Sequence, residues 1–438
     1  MKSAYDVVVI GAGAAGLAAA VRLTEAGRSV LLLEARDRVG GRLHTRQEAG
    51  LAAPVELGAE FVHGTALTTR HWLARLGLEA KDIAESHWRV QDGQLTSAEG
   101  YFDDVQQAFR HHSALASHDI SFADFLSGPM KDELSAQARL SALGMVEGFD
   151  AADPRRASAL SIVEEWTDTS FIDAAQGRVI TGYSSLLDGM ARVLPASLCK
   201  LQMHSVVQQI RWKRGRVEVE ASRFGKSFVA SVPRALITVP LGVLQSTAGQ
   251  AGHIAFAPAL DMKTSALKHL EFGPVIKVML RFRSPFWEQI DGGRLKDAMF
   301  IHTEMQPFHT FWTSMPIRSP LLVAWAGGPR VAKIEGDLAH LTHQALASLD
   351  AVFGKYCNVA DELEAVYCHD WQHDPFSRGA YSYVGVGGGT SRAELAAAVE
   401  GTLFFAGEAT DTTGEAATVT GALRTGERAA REIVESWS

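Results

Sequence analysis

The 438-residue chain is 47% hydrophobic and 21% charged, too long for one simple core and in keeping with a two-domain globular protein. Its 42 basic and 50 acidic residues are spread along the chain and leave a net charge of −8, which argues against a nucleic-acid partner and suits cationic ligands. No run of about twenty apolar residues is present, so no transmembrane helix is predicted. The first strand starts by Tyr5, which leaves no room for a signal peptide. Cys199, Cys357 and Cys368 are odd in number and lack metal or redox spacing. A reducing, cytoplasmic setting is expected, and oligomeric state is not readable.

In chain order, Val7-Val8-Val9-Ile10 reads as a buried strand. Gly11-Ala12-Gly13-Ala14-Ala15-Gly16 follows as a glycine turn into a helix with Leu17, Ala18, Ala20, Val21 and Leu23 on its apolar face. Gly27 suits the helix end. Residues 29–33 read as a doubly covered parallel strand with Glu34 at its tip. Together these are what the ADP half of a dinucleotide requires. Gly11 allows the tight turn, Gly13 and Ala15 line the approach to a pyrophosphate, and Gly16 lets the helix pack on the strand. The helix N-terminus offers free N–H groups and partial positive charge. Glu34 suits both ribose hydroxyls and so disfavours NADP. Next, Ala35, Arg36, Arg38 and Arg42 flank a second glycine pair, Gly40-Gly41. Arg42 suits a bidentate phosphate grip; Arg38 reads either as a phosphate contact or as a solvated loop residue.

Gly58 and Gly64 bracket a short turn holding Ala59, Glu60 and His63. From about Trp72 to Arg156 the pattern is helical; His111, His112 and His118 fall here without ligand spacing, so no metal is expected. Residues 177–187 read as a turn into a helix ending near Pro195. Two alternating strands follow, 205–212 and 216–220, joined by a turn at 213–215. Residues 235–242 form a buried strand stopped by Pro240. Residues 276–375 return to mixed strands, with a helix near 338–353. Lys277 stands in an otherwise apolar strand, either snorkelling at an edge or buried with a purpose. Finally, a strand at 403–408 ends in Gly407-Glu408, and a helix covers 421–430. A second glycine-bearing strand–loop–helix thus lies about 390 residues after the first.

The segments 5–64, 177–187, 234–243, 271–287 and 371–430 resemble the flavin-containing amine oxidase superfamily, closest to the polyamine oxidase and lysine-specific histone demethylase core. The resemblance implies an α/β (α+β overall) fold. A discontinuous Rossmann-like FAD-binding domain (1–75, 190–275, 376–438) would carry an inserted substrate domain of mixed sheet and helices (76–189, 276–375). By this resemblance the Val207 backbone meets the adenine. The loop Gly58-Ala59-Glu60 faces the flavin. Glu408, after Gly407, meets a ribityl hydroxyl, and a helix starting near Val419, behind Thr418, points its N-terminus at flavin N1–C2=O. Lys277 would hold a water beside flavin N5. Tyr381 would wall the substrate face, with Trp371 in the same stretch. His63 would orient an amine and relay its proton, as in animal polyamine oxidases.

Two departures are informative. Ala380 replaces the cysteine that bonds the flavin in monoamine oxidases, which predicts non-covalent FAD. Thr418 replaces their second cage tyrosine, which favours the polyamine side. The activity implied is FAD-dependent amine oxidation. Hydride passes from an amine Cα–H to flavin N5, the imine hydrolyses to aldehyde and amine, and O2 becomes H2O2. The partners would be a small amine and O2. The alternatives are a monoamine or L-amino-acid oxidase, another FAD desaturase, and a histone-demethylase-like or non-catalytic flavoprotein module.

Overall fold

The computed structural model describes residues 5–84, 86–91, 94–98, 100, 103–112, 118–168, 175–303, 306–334 and 336–437; the side chains of Gln91, Asp104, His111 and His112 lie outside the described set. Val7–Ile10 is a fully buried strand at the centre of a five-stranded sheet. Its neighbours are Val30–Leu33 and Arg234–Ile237, with Cys199–Gln202 and Leu403–Phe405 at the edges, and every pairing is parallel. The two-residue alternation of strand side chains divides these apolar runs between two cores. Val7, Val9, Val30 and Leu32 pack against helices Ala14–Glu25 and Val419–Glu435. Val8, Ile10, Leu31 and Leu33 pack against Trp212, Val217 and Val219 of a four-stranded sheet. The result is three layers of helices, parallel sheet and antiparallel hairpins. The hairpins are Ser205–Lys213, Arg216–Arg223 and Lys226–Val232, close to the two strands expected.

A seven-stranded sheet forms the other half, in the order Leu363–Cys368, Val275–Phe282, Leu321–Gly327, Thr310–Thr313, Phe300–His302, His87–Gln91, Gln94–Ser97. One face, with Ile276, Val278, Leu280 and Phe282, packs on helix Leu338–Phe353. By the same alternation Val275, Lys277 and Met279 turn to the opposite face. Helices Asp103–His112, Phe122–Ser127, Ala136–Gly148 and Ala159–Thr167 bury Phe109, Phe122, Phe125 and Trp166 in a separate cluster.

Two findings differ from the sequence reading. Residues 87–97 were expected to be helical but form the edge hairpin of the seven-stranded sheet. Pairing with Phe300–His302, more than 200 residues away, overrides a local pattern that fits either state. The expected boundary at 189/190 cuts helix Ser184–Arg192, whose Leu186, Leu187 and Met190 pack in the parallel-sheet core.

Candidate functional site

A cavity of ≈ 600 Å³ runs between the two halves. At one end lies the first glycine turn. Gly11 has φ +104°, and a Cβ there would meet the Thr238 hydroxyl at 2.8 Å. A Cβ on Gly16 would stand 1.9 Å from the Gly11 carbonyl oxygen, so Gly16 is the packing glycine beneath the cavity. Gly13 is the helix N-cap and offers no side-chain acceptor, which leaves first-turn N–H groups for an incoming anion. Gly13 and Ala15 line the cavity, and beyond Gly13 a Cβ would meet only the Gly40 oxygen at 3.9 Å. Gly41 (φ +58°) closes over Gly13. Arg38 donates to the carbonyls of Val39, Gly41 and Leu43, so it braces this loop rather than standing in solvent.

Glu34 is buried at the cavity wall beside Ala35. Its Oε2 accepts Ala12 N–H at 2.8 Å and its Oε1 accepts Arg36 N–H at 2.9 Å, so the carboxylate is fixed while keeping lone pairs to spare. Arg36 pairs with Asp374 at 2.7 Å. Val207 lines the same end where its strand bulges between Val207 and Gln209, exposing backbone groups from the ladder. Arg42 does not stand as an open fork. Its Nη1 donates to Glu408 at 2.9 Å and to the Ala380 carbonyl at 2.5 Å. Glu408 also accepts the Ser382 hydroxyl at 2.7 Å. Gly407 has φ +137° and no atom within 4 Å of a notional Cβ, a cradle for a ligand. Thr418 caps the last helix by accepting Gly421 N–H at 3.0 Å, and Thr418 and Val419 bring that N-terminus to the cavity.

The opposite end joins the expected chemical residues. Lys277 is 3% exposed; its Nζ donates to Glu60 Oε2 at 2.6 Å and to the Gly58 carbonyl at 3.0 Å. Gly58 is held by close packing: a Cβ would lie 1.9 Å from the Arg42 carbonyl oxygen. Ala59 lines the cavity next to it. Glu60 was expected at the flavin, and it does line the cavity. Its Oε1, however, accepts Arg178 at 2.6 Å, and its Oε2 accepts Trp312 Nε1 at 3.1 Å as well as Lys277. Burial alone would raise this carboxyl, but Lys277 and Arg178 hold it below its ordinary value. Trp371 is pinned by its Nε1 donating to the Leu57 carbonyl at 2.8 Å. The Tyr381 hydroxyl donates to the Phe149 carbonyl at 2.6 Å. Burial first, then Asp150 and Glu165, push that hydroxyl well above its ordinary value, so it stays neutral. The His63 ring sits between Phe61 and Phe149, at 5.9 and 5.6 Å.

Every residue expected to hold the cofactor or to act in catalysis, except Gly16, therefore borders one cavity, and Arg38 does not line it. Several others were not foreseen. Asp150 and Glu165 line the wall beside Tyr381; burial, then Glu165, pushes Asp150 well up, and burial pushes Glu165 up. His302 bonds His87 at 3.0 Å, and burial drives both His302 and His309 far below the usual histidine range, His309 to about 3. Arg178 and Trp312 converge on Glu60. Their only sequence signals are an arginine inside Gly177-Arg178-Val179 and aromatics in a strand, neither specific. Among the described residues no group of three His, Cys, Asp or Glu is placed to hold a metal.

Residues 14–434 match the protein family described as flavin containing amine oxidoreductase. Polyamine oxidase 3 of Oryza sativa subsp. japonica is 30% identical over 460 residues, covering 98% of this chain and 88% of that protein. Lysine-specific histone demethylase 1 homolog 2 of Arabidopsis thaliana is 32% identical over 465 residues, but the chain spans only 58% of its length. Two solved structures share the fold. Cyclohexylamine oxidase from Brevibacterium oxydans IH-35A has TM-score 0.82 at 20% identity, with 100% of both chains covered. Putrescine oxidase bound to putrescine has TM-score 0.80 at 23% identity, covering 98% of this chain and 99% of that one.

Proposed function

Because the chain belongs to the flavin containing amine oxidoreductase family and is a flavin-dependent amine oxidase, we propose that its substrates are polyamine-type amines. The cavity fits FAD. The open glycine cradles at Gly13 and Gly407 and two helix N-termini border it. When bound, FAD supplies an acceptor for hydride from the amine Cα–H, leaving an imine that water hydrolyses, and passes the electrons to O2 to give H2O2.

The ADP half would rest on Gly11, Gly13 and Ala15, with Glu34, Ala35, Arg36, Gly41 and Val207 around it. The flavin half would rest on Arg42, Gly58, Ala59, Gly407, Glu408, Thr418 and Val419. The Val419 helix end supplies partial positive charge there. Association without a covalent tether is supported by Ala380, which has no nucleophile, and by the absence of all three cysteines from the lining. Tyr381 and Trp371, each anchored by a hydrogen bond, present fixed aromatic faces that attract an amine. His63 takes the proton that an ammonium substrate must lose before oxidation. Lys277 keeps one N–H for the cavity, since Glu60 and Gly58 use the other two. We assign residues 1–75, 184–275 and 376–438 to FAD and the rest to substrate, which moves the start of the middle segment from 190 to 184 so that helix Ser184–Arg192 lies whole on the FAD side.

One observation supports cationic substrates over amino acids. Each cationic side chain lining the cavity already faces a carboxylate: Arg36–Asp374, Arg42–Glu408, Lys277–Glu60 and Arg330–Glu147. Asp150 and Glu165 remain as further acids at the substrate end. Anaerobic mixing with spermine, acetylated polyamines, aromatic monoamines and L-amino acids tests this. Polyamines should bleach the flavin fastest. Fastest bleaching by aromatic monoamines or amino acids would overturn the polyamine assignment.

A further inference from the structure

Lys277 is not held by its own strand. Its ammonium is clamped between the Gly58 carbonyl and Glu60, and Glu60 is in turn held from behind. Arg178 reaches Glu60 Oε1 at 2.6 Å from strand Gly177–Val179, where it pairs with Phe61. Its guanidinium lies over the Phe61 ring at 4.9 Å and donates to the carbonyls of Met315 and Thr313. Arg178 is 3% exposed and does not line the cavity, so it has no route to a bound substrate or cofactor of its own. Both oxygens of Glu60 are taken: Oε1 by Arg178, Oε2 by Lys277 and Trp312. A carboxylate with a single strong donor on one side pivots about that bond. With charged donors on both oxygens it has one orientation.

We propose that Arg178 is a positioning residue for the oxidase reaction, acting through Glu60 to fix the Lys277 ammonium at the flavin. The relay Arg178–Glu60–Lys277 joins three elements far apart in sequence and places a net positive charge of one beside the cavity. Arg178→Gln removes the charge and the hold on Glu60 Oε1 together. Lys277 then keeps its pairing with a carboxylate that is free to turn, and the local charge falls to zero.

This inference rests on the reading that Lys277 serves the flavin, and the test separates the two. In holoenzyme reduced anaerobically with dithionite, the rate of reoxidation by O2 and the flavin reduction potential against a reference dye are measured. The variants are Arg178→Gln, Arg178→Lys, Lys277→Met and the double substitution. Arg178→Gln should slow reoxidation about tenfold, the scale of coupling between contacting charged groups, and lower the potential; spermine Kd should not change. Arg178→Lys should recover much of both. In the Lys277→Met background, Arg178→Gln should add nothing to the loss of reoxidation rate, although the potential still falls with the lost charge. A further loss of rate in that background, or an unchanged rate in the single variant, overturns the relay. A Lys277→Met enzyme with undiminished reoxidation overturns the role of Lys277 itself. If Arg178→Gln does not fold, the paired change Glu60→Gln with Arg178→Gln removes both buried charges. It should match Glu60→Gln alone in reoxidation rate, and any further loss of rate overturns the relay.

Discussion

Lys277 shows how far a single residue can be read. An ammonium in the run Val275-Ile276-Lys277-Val278-Met279 is costly to bury, so a partner was predictable, but not which one. The partner, Glu60, lies 217 residues upstream, and no local spacing encodes that distance. Arg178 and Trp312 were illegible for the same reason. Replacing Lys277 with Met should slow flavin reduction or reoxidation by about 10²-fold while leaving flavin absorbance intact; stopped-flow traces check this. Glu56 sits in the same buried region. Burial pushes its carboxyl up to about 7, against hydrogen bonds from Tyr183 N–H and the Thr45 hydroxyl. Its folded value lies above its unfolded one, so the unfolded chain gives up this proton first as pH rises. The contribution to stability is complete below the unfolded value near 4.5 and is lost as pH rises through about 7. The loss is on the order of 3 kcal/mol. Glu56→Gln should flatten the fall in stability between about pH 5 and 8 in urea denaturation. A slope identical to that of the parent would remove Glu56 from the account.

Among the elements, those with strict local rules were legible. Val7–Ile10, helix Ala14–Glu25 and helix Leu338–Phe353 fall where the apolar periodicity placed them. The hairpin His87–Gln91 and Gln94–Ser97 was missed because its strands depend on a distant partner. The acids Asp150 and Glu165 escaped notice too. Glu165 lies on a helix whose Ile162, Val163 and Trp166 face the core, and an acid there looks like ordinary solvated surface. Contact between two helices supplies a test at this scale. Helix Val419–Glu435 crosses Ala14–Glu25 at Gly426, where a Cβ would stand 2.1 Å from the Ala15 carbonyl oxygen. Gly426→Ala gains about 1 kcal/mol in helix propensity. Overpacking costs about 1–3 kcal/mol, and because the obstacle is backbone the upper end applies. The variant should melt at a lower temperature than the parent by calorimetry and release flavin more readily. An unchanged or higher melting temperature would mean that the helices separate at no cost.

At the scale of the whole molecule, the cofactor crevice is assembled from both ends of the chain and from its middle. Gly13, Val207 and Gly407 all border it. A ligand bound to these segments ties together elements that share few residues in sequence. Removing FAD should lower stability by RT ln(1 + [L]/Kd), about 2.7 kcal/mol when the free ligand is at 100 times Kd. FAD should restore the melting temperature. FMN, which lacks the AMP moiety and so the pyrophosphate, should restore much less of it. Equal rescue by the two would show that the glycine turn at Gly11 to Gly16 contributes little to holding the cofactor.

The parallel sheet has a temporal consequence. Its edge strand, Leu403–Phe405, and the cap at Thr418 are made after every other strand of the sheet. Strand Val7–Ile10 has both its ladder partners, Val30–Leu33 and Arg234–Ile237, long before that, but Arg234–Ile237 stays unpaired on its outer side until Leu403–Phe405 is made. The full flavin cradle therefore waits for Gly407, Glu408 and the Val419 helix end, which lie downstream of that edge strand. A nascent polypeptide halted anywhere before residue 403 holds half a nucleotide cradle and no enzyme.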